Sequence, residues 1–293
     1  MKGRRYFSLT VKQFRVNDRR LFLHRIYSYF YINKKCDTVM NRIIMVTGAT
    51  AGFGRAIAGK FARNGYDVII TGRRKERLGE VEQELAAISG IRVLSLNFDV
   101  RKRYEVEDVV NSLPPEWKNI DILVNNAGLA VGMDHIDEGN IDDWDRMIDT
   151  NVKGLLYVTR AVVPLMTARG SGHVFNLSSI AGKEVYEYGN VYCASKHAVD
   201  ALSRSMRIDL LKHNIKVTNI APGMAETEFS LVRFKGNKEK AKSVYKGIKA
   251  LTGDDIAEVI YYCATLPAHV CINDLVVTPT AQAGVNHNIR KSE

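Results

Sequence analysis

The sequence is poor in the residues that build disulfide frameworks and metal sites. It has four cysteines and seven histidines in 293 residues. Cys36, Cys193, Cys263 and Cys271 form no C-x-x-C pair, and no histidines form an H-E-x-x-H motif; redox-active thiols and zinc sites use such spacings. We therefore expect a protein of a reducing, cytoplasmic compartment that binds no metal.

Long apolar runs are also missing from the first part of the chain. The most apolar stretch there, residues 21–32, is interrupted by Arg25 and is far shorter than the roughly 20 residues of a membrane-spanning helix. Asn33-Lys34-Lys35 follows it in place of a small-residue cleavage site, which argues against a signal peptide. The stretch 1–39 is rich in arginine but contains no alanine, which disfavours an organelle presequence. We expect no membrane association of the folded protein.

Positive charge is concentrated at one end of the chain. The formal net charge is +10, but residues 1–39 hold ten Lys and Arg against two Asp. The other 254 residues hold 32 basic and 30 acidic side chains, so this part does not predict nucleic-acid binding. We expect a folded domain over residues 40–293 and a basic extension over residues 1–39. The favoured interpretation is that translation starts at Met40; the alternative is an arm that contacts membrane or nucleic acid.

Seven short apolar segments alternate with longer helical patterns after Met40. These segments are 43–46, 68–71, 93–96, 122–124, 174–177, 217–220 and 275–277. Such alternation is typical of a parallel sheet with helices on both faces. It predicts an α/β fold, a Rossmann-type doubly wound sheet of seven parallel strands in a single domain.

A glycine-rich turn follows the first apolar segment. It contains Gly48, Thr50, Ala51, Gly52, Phe53 and Gly54. Glycines let the backbone turn sharply and approach a pyrophosphate, which then lies at the N-terminus of the next helix. The spacing is G-x-x-x-G-x-G and not the commoner G-x-G-x-x-G. By itself the motif fits either a nucleotide site or an ordinary turn.

Tyr192 and Lys196 are four residues apart, a spacing that places both on one face of a helix. A tyrosine has a pKa of about 10 and must be brought down to about 7 to carry protons near neutral pH. A cation about 4 Å away contributes roughly the required 4 kcal/mol at an effective dielectric constant near 20. With Ser179 upstream, the pair predicts a proton-transfer site.

Six motifs occur in the order and at the distances found in the short-chain dehydrogenase/reductase family, which the sequence resembles over roughly residues 40–285. They are the glycine turn, residues 125–128, Asn151, Ser179, the Tyr192 and Lys196 pair, and residues 222–227. Within the family, residues 227–236 and 265–273 look like those of bacterial NADP-dependent 3-hydroxy acid dehydrogenases, which act on serine, allo-threonine and malonic semialdehyde. The resemblance implies a homo-oligomer, commonly a tetramer, with a small-molecule substrate.

The resemblance also implies roles for individual residues. Tyr192 is expected to exchange the proton of the substrate oxygen and Ser179 to bind that oxygen. Lys196 is expected to lower the pKa of Tyr192 and hold the nicotinamide ribose, and Asn151 to anchor a water that links Lys196 to solvent. The other expected cofactor contacts are Asp99 and Val100 at the adenine, Asn126, Ala127 and Gly128 at the ribose, and Pro222, Gly223 and Thr227 at the carboxamide.

Two arginines follow the second apolar segment. Enzymes of this fold that use NAD place an acidic residue near this point, where it binds the ribose 2′-hydroxyl. Here the sequence is Thr71-Gly72-Arg73-Arg74. Each charge-assisted hydrogen bond contributes about 1.5–3 kcal/mol, so Arg73 and Arg74 predict NADP as the cofactor.

Residues 226–242 are polar, and we expect them to form an irregular loop that moves over the substrate. The substrate is expected to carry a carboxylate, because Arg233 and Lys235 form a cationic cluster in this loop, in a segment that resembles the 3-hydroxy acid enzymes. We expect hydride transfer between NADP(H) and a small 3-hydroxy acid or hydroxy amino acid, such as serine, allo-threonine or 3-hydroxypropionate. Two alternatives stay open: a relative acting on a sugar, diketone or acyl-carrier ketone, and a catalytically silent binding protein. Residues 183–188 are bulky and charged and depart from the 3-hydroxy acid enzymes just before Tyr192.

Overall fold

A computed structural model describes residues 41–291. The expected basic extension, residues 1–39, lies outside the described residues, as do Met40 and the last two residues. The domain boundary at Met40 therefore stays a prediction.

All seven predicted strands are present in one parallel sheet. They are β1 (Ile43–Val46), β2 (Asp67–Gly72), β3 (Val93–Asn97), β4 (Ile120–Asn125), β5 (Gly172–Leu177), β6 (Ile215–Pro222) and β7 (Asp274–Val277). Their order across the sheet is β3-β2-β1-β4-β5-β6-β7. β2 and β3 lie on one side of β1, and β4 to β7 lie on the other side. Ligands of such sheets bind outside the carboxyl ends of the strands at the point where the strand order reverses, here between β1 and β4.

The sheet is buried on both faces. Successive side chains of β1 point to opposite sides, so Ile44 packs in a core cluster with Phe61 and Ile43 packs in another with Met166. Both clusters consist of buried residues, most of them aliphatic or aromatic. This explains why the strands are continuous apolar runs without polar alternation, and it confirms the predicted doubly wound fold.

Helices cover both faces of the sheet. In the described part of the chain they are α1 (Gly52–Arg63), α2 (Lys75–Ala86), α3 (Arg103–Asn111), α4 (Ile141–Ile148), α5 (Leu155–Thr167), α6 (Asn190–Leu210), α7 (Glu228–Arg233), α8 (Lys238–Ser243) and α9 (Gly253–Thr265). Within residues 41–291, none of these helices has the length and apolar character needed to cross a membrane.

The polar stretch after β6 differs from its sequence-based expectation. Residues 226–242 read as an irregular loop, but they contain the two short helices α7 and α8. The side chain of Thr227 accepts the N–H of Phe229 at 3.2 Å, and that of Asn237 accepts the N–H of Lys240 at 3.0 Å. These two capping side chains satisfy free N–H groups, so short helices form in a sequence with little apolar periodicity.

Candidate active site

The glycine turn is shaped by close backbone approach. Gly48 and Gly52 have φ angles of +65° and +52°, which favour glycine. A Cβ atom at Gly48 would lie 2.9 Å from the Cα of Ala127, and one at Gly54 would lie 2.5 Å from the Gly48 carbonyl oxygen. α1 begins at Gly52, and no side chain of the described residues caps it. The first N–H groups of α1 thus face a cradle that fits a pyrophosphate.

Thr47 and Asn126 hold this turn against the end of β4. The Thr47 hydroxyl oxygen accepts the N–H groups of Asn126 and Ala127, each at 3.0 Å. The Asn126 side chain donates to the carbonyl oxygens of Thr47 at 2.8 Å and Gly48 at 3.1 Å. Asn126 therefore shapes the turn through its side-chain amide nitrogen. Thr47 was not among the predicted site residues.

Ala51 and Phe53 flank the start of α1. Ala51 is the N-cap residue with an extended backbone, at φ −166°. Phe53 is partly buried and packs against the core cluster that contains Phe61. Phe53 therefore secures the first turn of α1 to the core.

Three predicted catalytic residues converge at the carboxyl end of β5. Tyr192 and Lys196 lie one turn apart on α6, and the Lys196 Nζ is 5.9 Å from the centre of the Tyr192 ring. Ser179 follows β5, and its side chain acts to lower the pKa of the Tyr192 phenol. The Lys196 Nζ donates to the Leu177 carbonyl oxygen at 2.8 Å. Both Tyr192 and Lys196 are buried.

Asn151 lies in a π-helical turn, Asp149–Gly154, between α4 and α5. Its side chain pairs with the backbone of Leu129, accepting the N–H at 2.8 Å and donating to the carbonyl at 2.8 Å. A Cβ atom at Gly128 would lie 3.2 Å from the Asn151 Oδ1 and 3.4 Å from the Lys196 Nζ. Glycine at position 128 thus keeps open the space between Asn151 and Lys196. Such π turns occur frequently at functional sites.

The electrostatics of Tyr192 differ from the sequence-based expectation. Burial raises the pKa of Tyr192, and the charge of Arg233 and the side chain of Ser179 oppose that rise. The opposing charge is therefore Arg233, whereas we expected Lys196. The pKa of Tyr192 is raised because the phenol is buried away from water, with the ring centre of Phe229 5.5 Å from that of Tyr192. Burial also lowers the pKa of Lys196, to about 8.

Arg233 and Lys235, both predicted to bind substrate, have different surroundings. The Arg233 Nη2 donates to the Tyr186 hydroxyl at 2.8 Å, and its guanidinium carbon lies 5.0 Å from the Tyr192 ring centre. Arg233, Tyr186 and Tyr192 line one small pocket together with Trp144. Lys235 instead forms a 2.7 Å ion pair with Asp143 and is exposed. The structure thus brings Arg233 to Tyr192, the predicted proton-transfer residue, and leaves Lys235 outside the lining of that pocket.

The predicted NADP-specifying arginines are both engaged by acidic side chains. Arg74 donates to Thr50 Oγ1 at 2.8 Å and to Glu228 Oε2 at 2.8 Å. Arg73 lies 3.5 Å from Asp99, which is bound more closely by Arg101 at 2.6 Å.

Asp99 and Val100, the predicted adenine contacts, are held by charge and by packing, respectively. Burial tends to raise the pKa of Asp99, but the hydrogen bonds from Arg101 and the charge of Arg73 outweigh it and lower the pKa. Val100 is buried and packs against Gly154 of the π turn, where a Cβ atom would lie 2.8 Å from a Val100 methyl.

The segment after β6 closes the crevice. Ser179 donates to the Pro222 carbonyl oxygen at 3.3 Å, and Thr227 lies over Gly52, where a Cβ atom would be 3.3 Å from the Thr227 Cβ. The buried Gln282 accepts the Met224 N–H at 2.8 Å, and its amide oxygen would be 2.3 Å from a Cβ atom at position 223. Gly223 is required by this contact. No motif in the sequence points to Gln282, because its role depends on how the C-terminal segment folds back.

Comparison with known proteins places the site in a family. The model of the short chain dehydrogenases matches residues 42–238. The chain is 48% identical over 251 residues to the NADP-dependent 3-hydroxy acid dehydrogenase YdfG of Salmonella typhi, covering 85% of this chain and 100% of that protein. It is 45% identical over 245 residues to sulfoacetaldehyde reductase 2 of Chromohalobacter salexigens, covering 83% and 96%. A closed form of serine dehydrogenase complexed with NADP+ matches with a TM-score of 0.79 and 48% identity, covering 85% of this chain and all of that one.

Proposed function

The chain belongs to the short-chain dehydrogenase family, and from that premise we propose that it transfers hydride between NADP(H) and a small 3-hydroxy acid or hydroxy amino acid. The observation that carries the substrate class is the position of Arg233. Its guanidinium lies beside the ring of Tyr192, its Nε is buried, and within residues 41–291 that Nε has no hydrogen-bond partner. A cation with a free donor beside the proton-transfer residue suits an anionic substrate group.

The cofactor crevice fits NADP. The glycine turn and the N-terminus of α1 would hold the pyrophosphate, and Arg73 and Arg74, which directly follow β2, would hold the 2′-phosphate. Asp99, Val100 and residues 126–128 follow the adjoining strands β3 and β4, and Pro222, Gly223 and Thr227 follow β6. When bound, NADP supplies the acceptor or donor of the hydride.

The proton chemistry belongs to the chain's own side chains. Tyr192 takes the proton of the substrate hydroxyl in oxidation and returns it in reduction. Ser179, whose side chain acts to lower the pKa of Tyr192, holds the same substrate oxygen and stabilises charge that develops on it. These two residues approach the oxygen from different elements, α6 and the turn after β5.

Lys196 and Asn151 connect Tyr192 to a proton reservoir. A lysine whose pKa is lowered to about 8 exchanges protons readily near neutral pH. The space beside Gly128 lies between the Lys196 Nζ and the Asn151 amide oxygen. We assign Asn151 the role of anchoring a water there, and Lys196 the roles of passing the proton and holding the nicotinamide ribose.

Arg233 orients the substrate by its anionic group, with Tyr186 as a second donor. Because Arg233 already binds the Tyr186 hydroxyl, the two side chains are fixed relative to each other before an anion arrives. A sugar, a diketone or an acyl-carrier ketone offers no free carboxylate for this cation. Lys235 is already paired with Asp143, so it contributes less than Arg233 to substrate binding.

A spectrophotometric screen tests the proposal. NADP reduction is measured with serine, allo-threonine, 3-hydroxypropionate and 3-hydroxyisobutyrate, with a sugar alcohol and 3-hydroxypropionamide as controls. We expect turnover of the hydroxy acids and poor turnover of both controls. Equal rates with 3-hydroxypropionate and its amide would contradict the carboxylate assignment. No activity with any hydroxy acid would favour the alternative substrates.

We also propose an oligomeric state, a cellular compartment and the dispensability of residues 1–39. Family resemblance supports a homotetramer, which light scattering tests. The cysteine spacing supports a cytoplasmic compartment, which cell fractionation tests. We propose that residues 1–39 are dispensable, since they hold most of the excess positive charge and lie outside the strand and helix pattern. A chain starting at Met40 should retain the melting temperature and activity of the full chain.

A further inference from the structure

Glu228 lies between two arginines of the cofactor crevice. Its carboxylate accepts from Arg74 Nη1 at 2.8 Å and from Arg77 Nη1 at 2.5 Å and 2.7 Å. All three side chains are close to half exposed, at 42% to 45%. The sequence pointed to Arg74 but not to Arg77 or Glu228. The pairing of Glu228 with Arg74 could not be found from sequence, because the two residues are 154 positions apart.

The contact joins the two sides of the crevice. Arg74 is the N-cap residue of α2, two residues after the end of β2, and its side chain donates to Thr50 in the glycine turn. Glu228 is the first residue of α7 and directly follows Thr227, which lies over Gly52. A single guanidinium is therefore shared between the glycine turn and the segment that leads to Arg233.

The charge balance at this point depends on Glu228. Asp99 pairs with Arg101 and, at a longer distance, with Arg73. Within residues 41–291, Glu228 is the carboxylate that forms ion pairs with Arg74 and Arg77. The charges of Arg74 and Arg77 hold the pKa of Glu228 below its usual range against the opposing effect of burial, so Glu228 is ionised at neutral pH.

We propose that Glu228 is a specificity-determining residue that competes with the 2′-phosphate of NADP for Arg74 and Arg77. The proposal rests on the proposed use of NADP. A carboxylate and a phosphate are both acceptors for the same guanidinium donors, and they repel each other. Glu228 thus weakens the hold of the arginines on the 2′-phosphate, lowers the preference for NADP over NAD, and speeds cofactor release.

Substitution by glutamine separates the charge of Glu228 from its hydrogen bonding. Glu228→Gln keeps an acceptor oxygen for Arg74 and Arg77 but removes the negative charge. Glu80→Gln is the matched control, because Glu80 is an exposed residue on α2 one turn from Arg77. It removes the same charge without breaking a contact to either arginine.

Calorimetric titration with two nucleotide fragments tests the proposal without turnover. The full chain and both variants are titrated with 2′,5′-ADP, which carries the 2′-phosphate, and with 5′-ADP, which lacks it. We expect Glu228→Gln to bind 2′,5′-ADP about three- to tenfold more tightly, the scale of a partly exposed charge against a doubly charged phosphate. The affinity for 5′-ADP should be unchanged, and the gain should shrink at high ionic strength.

Other outcomes have distinct meanings. Unchanged or weaker binding of 2′,5′-ADP by Glu228→Gln would overturn the proposal, and so would an equal gain in Glu80→Gln. If the unmodified chain binds 2′,5′-ADP no better than 5′-ADP, the assignment of NADP itself fails. In stopped-flow displacement, Glu228→Gln should release NADPH more slowly than the unmodified chain; faster release would also overturn the proposal.

Discussion

The guanidinium carbon of Arg233 lies 5.0 Å from the centre of the Tyr192 ring, closer than the Nζ of Lys196 at 5.9 Å. Arg233 lines a pocket with Tyr192 and lowers the pKa of Tyr192, so in the proposed reaction one cation would both bind the substrate and stabilise the Tyr192 phenolate. This links substrate recognition to proton transfer. A substrate anion that pairs with Arg233 weakens the effect of that charge on Tyr192.

Arg233→Gln should raise the KM for a 3-hydroxy acid by about 10- to 100-fold, the scale of a lost charge-assisted hydrogen bond. It should also move the rising limb of the oxidation rate to higher pH. The sign follows because Arg233 lowers the pKa of Tyr192 against burial, and oxidation needs the deprotonated phenol. Initial rates across pH measure both effects. Lys235→Gln is the control and should change KM by less than about twofold, since Lys235 pairs with Asp143; an equal loss in both variants would contradict the assignment.

Tyr192→Phe should lower kcat by roughly 10²–10⁴-fold, the usual scale for a positioned acid or base. Folding and NADPH binding should survive, because only the hydroxyl is lost. The oxidation rate of the unmodified chain should rise with pH as Tyr192 and Lys196 lose protons, and that rise should vanish from any residual activity. Thermal melting and fluorescence titration provide the controls. Near-normal turnover with the same pH limb would show that another group carries the proton.

Gln282→Met should weaken NADPH binding by roughly tenfold. The substitution keeps the side-chain length but removes the acceptor of the Met224 N–H, and an unpaired buried N–H costs about 1–3 kcal/mol. The segment following Pro222, which faces the nicotinamide in our proposal, would then lose its fixed position. NADPH fluorescence measures the dissociation constant.

Arg290→Gln is the matched control for Gln282→Met. It removes the contacts of the same C-terminal segment to the carbonyl oxygens of Val244 and Lys246. It should leave the dissociation constant within about twofold. Similar losses in both variants would mean that any loosening of the C-terminal segment has this effect, and the specific role of Gln282 would be wrong.

The fold could be predicted because the sequence patterns that indicate it lie within short, continuous segments. Each strand of a buried parallel sheet is a short apolar run, and β1 with the glycine turn and α1 lies within 21 consecutive residues, 43–63. The spacing of Tyr192 and Lys196 was likewise enough to predict that both lie on one face of α6. Helices α7 and α8 were missed because two capping side chains, Thr227 and Asn237, stabilise them in place of an apolar stripe.

The parts of the site that sequence reasoning missed depend on contacts between distant segments. Tyr186 meets Arg233 across 47 residues, and Gln282 meets Met224 across 58. The raised pKa of Tyr192 was missed for a different reason: the spacing of Tyr192 and Lys196 gives the charge but not the burial. Lys235 was assigned with Arg233 from proximity in sequence, although the two side chains have different surroundings.

The buried His173 of β5 should make the stability of the protein depend on pH. Its Nε2 lies 2.8 Å from the Thr218 hydroxyl, whose own proton is donated to the Ile272 carbonyl at 2.6 Å. The Nε2 of His173 therefore carries a hydrogen, and its Nδ1 is buried without a partner within residues 41–291. Burial lowers the pKa of His173 to about 3, with smaller effects of Lys216 and Arg42.

Between pH 6.5 and about 3, the unfolded chain binds a proton at His173 that the folded chain does not. The free energy of unfolding should thus fall as the pH is lowered through this window, by about 2 kcal/mol from this histidine at pH 5. His173→Phe keeps an aromatic ring beside Phe175 and should remove that part of the loss. Urea unfolding at pH 7.5 and pH 5 measures it, with the exposed His269→Gln as control. If His173→Phe loses as much stability at pH 5 as the unmodified chain, His173 is not held neutral by the fold.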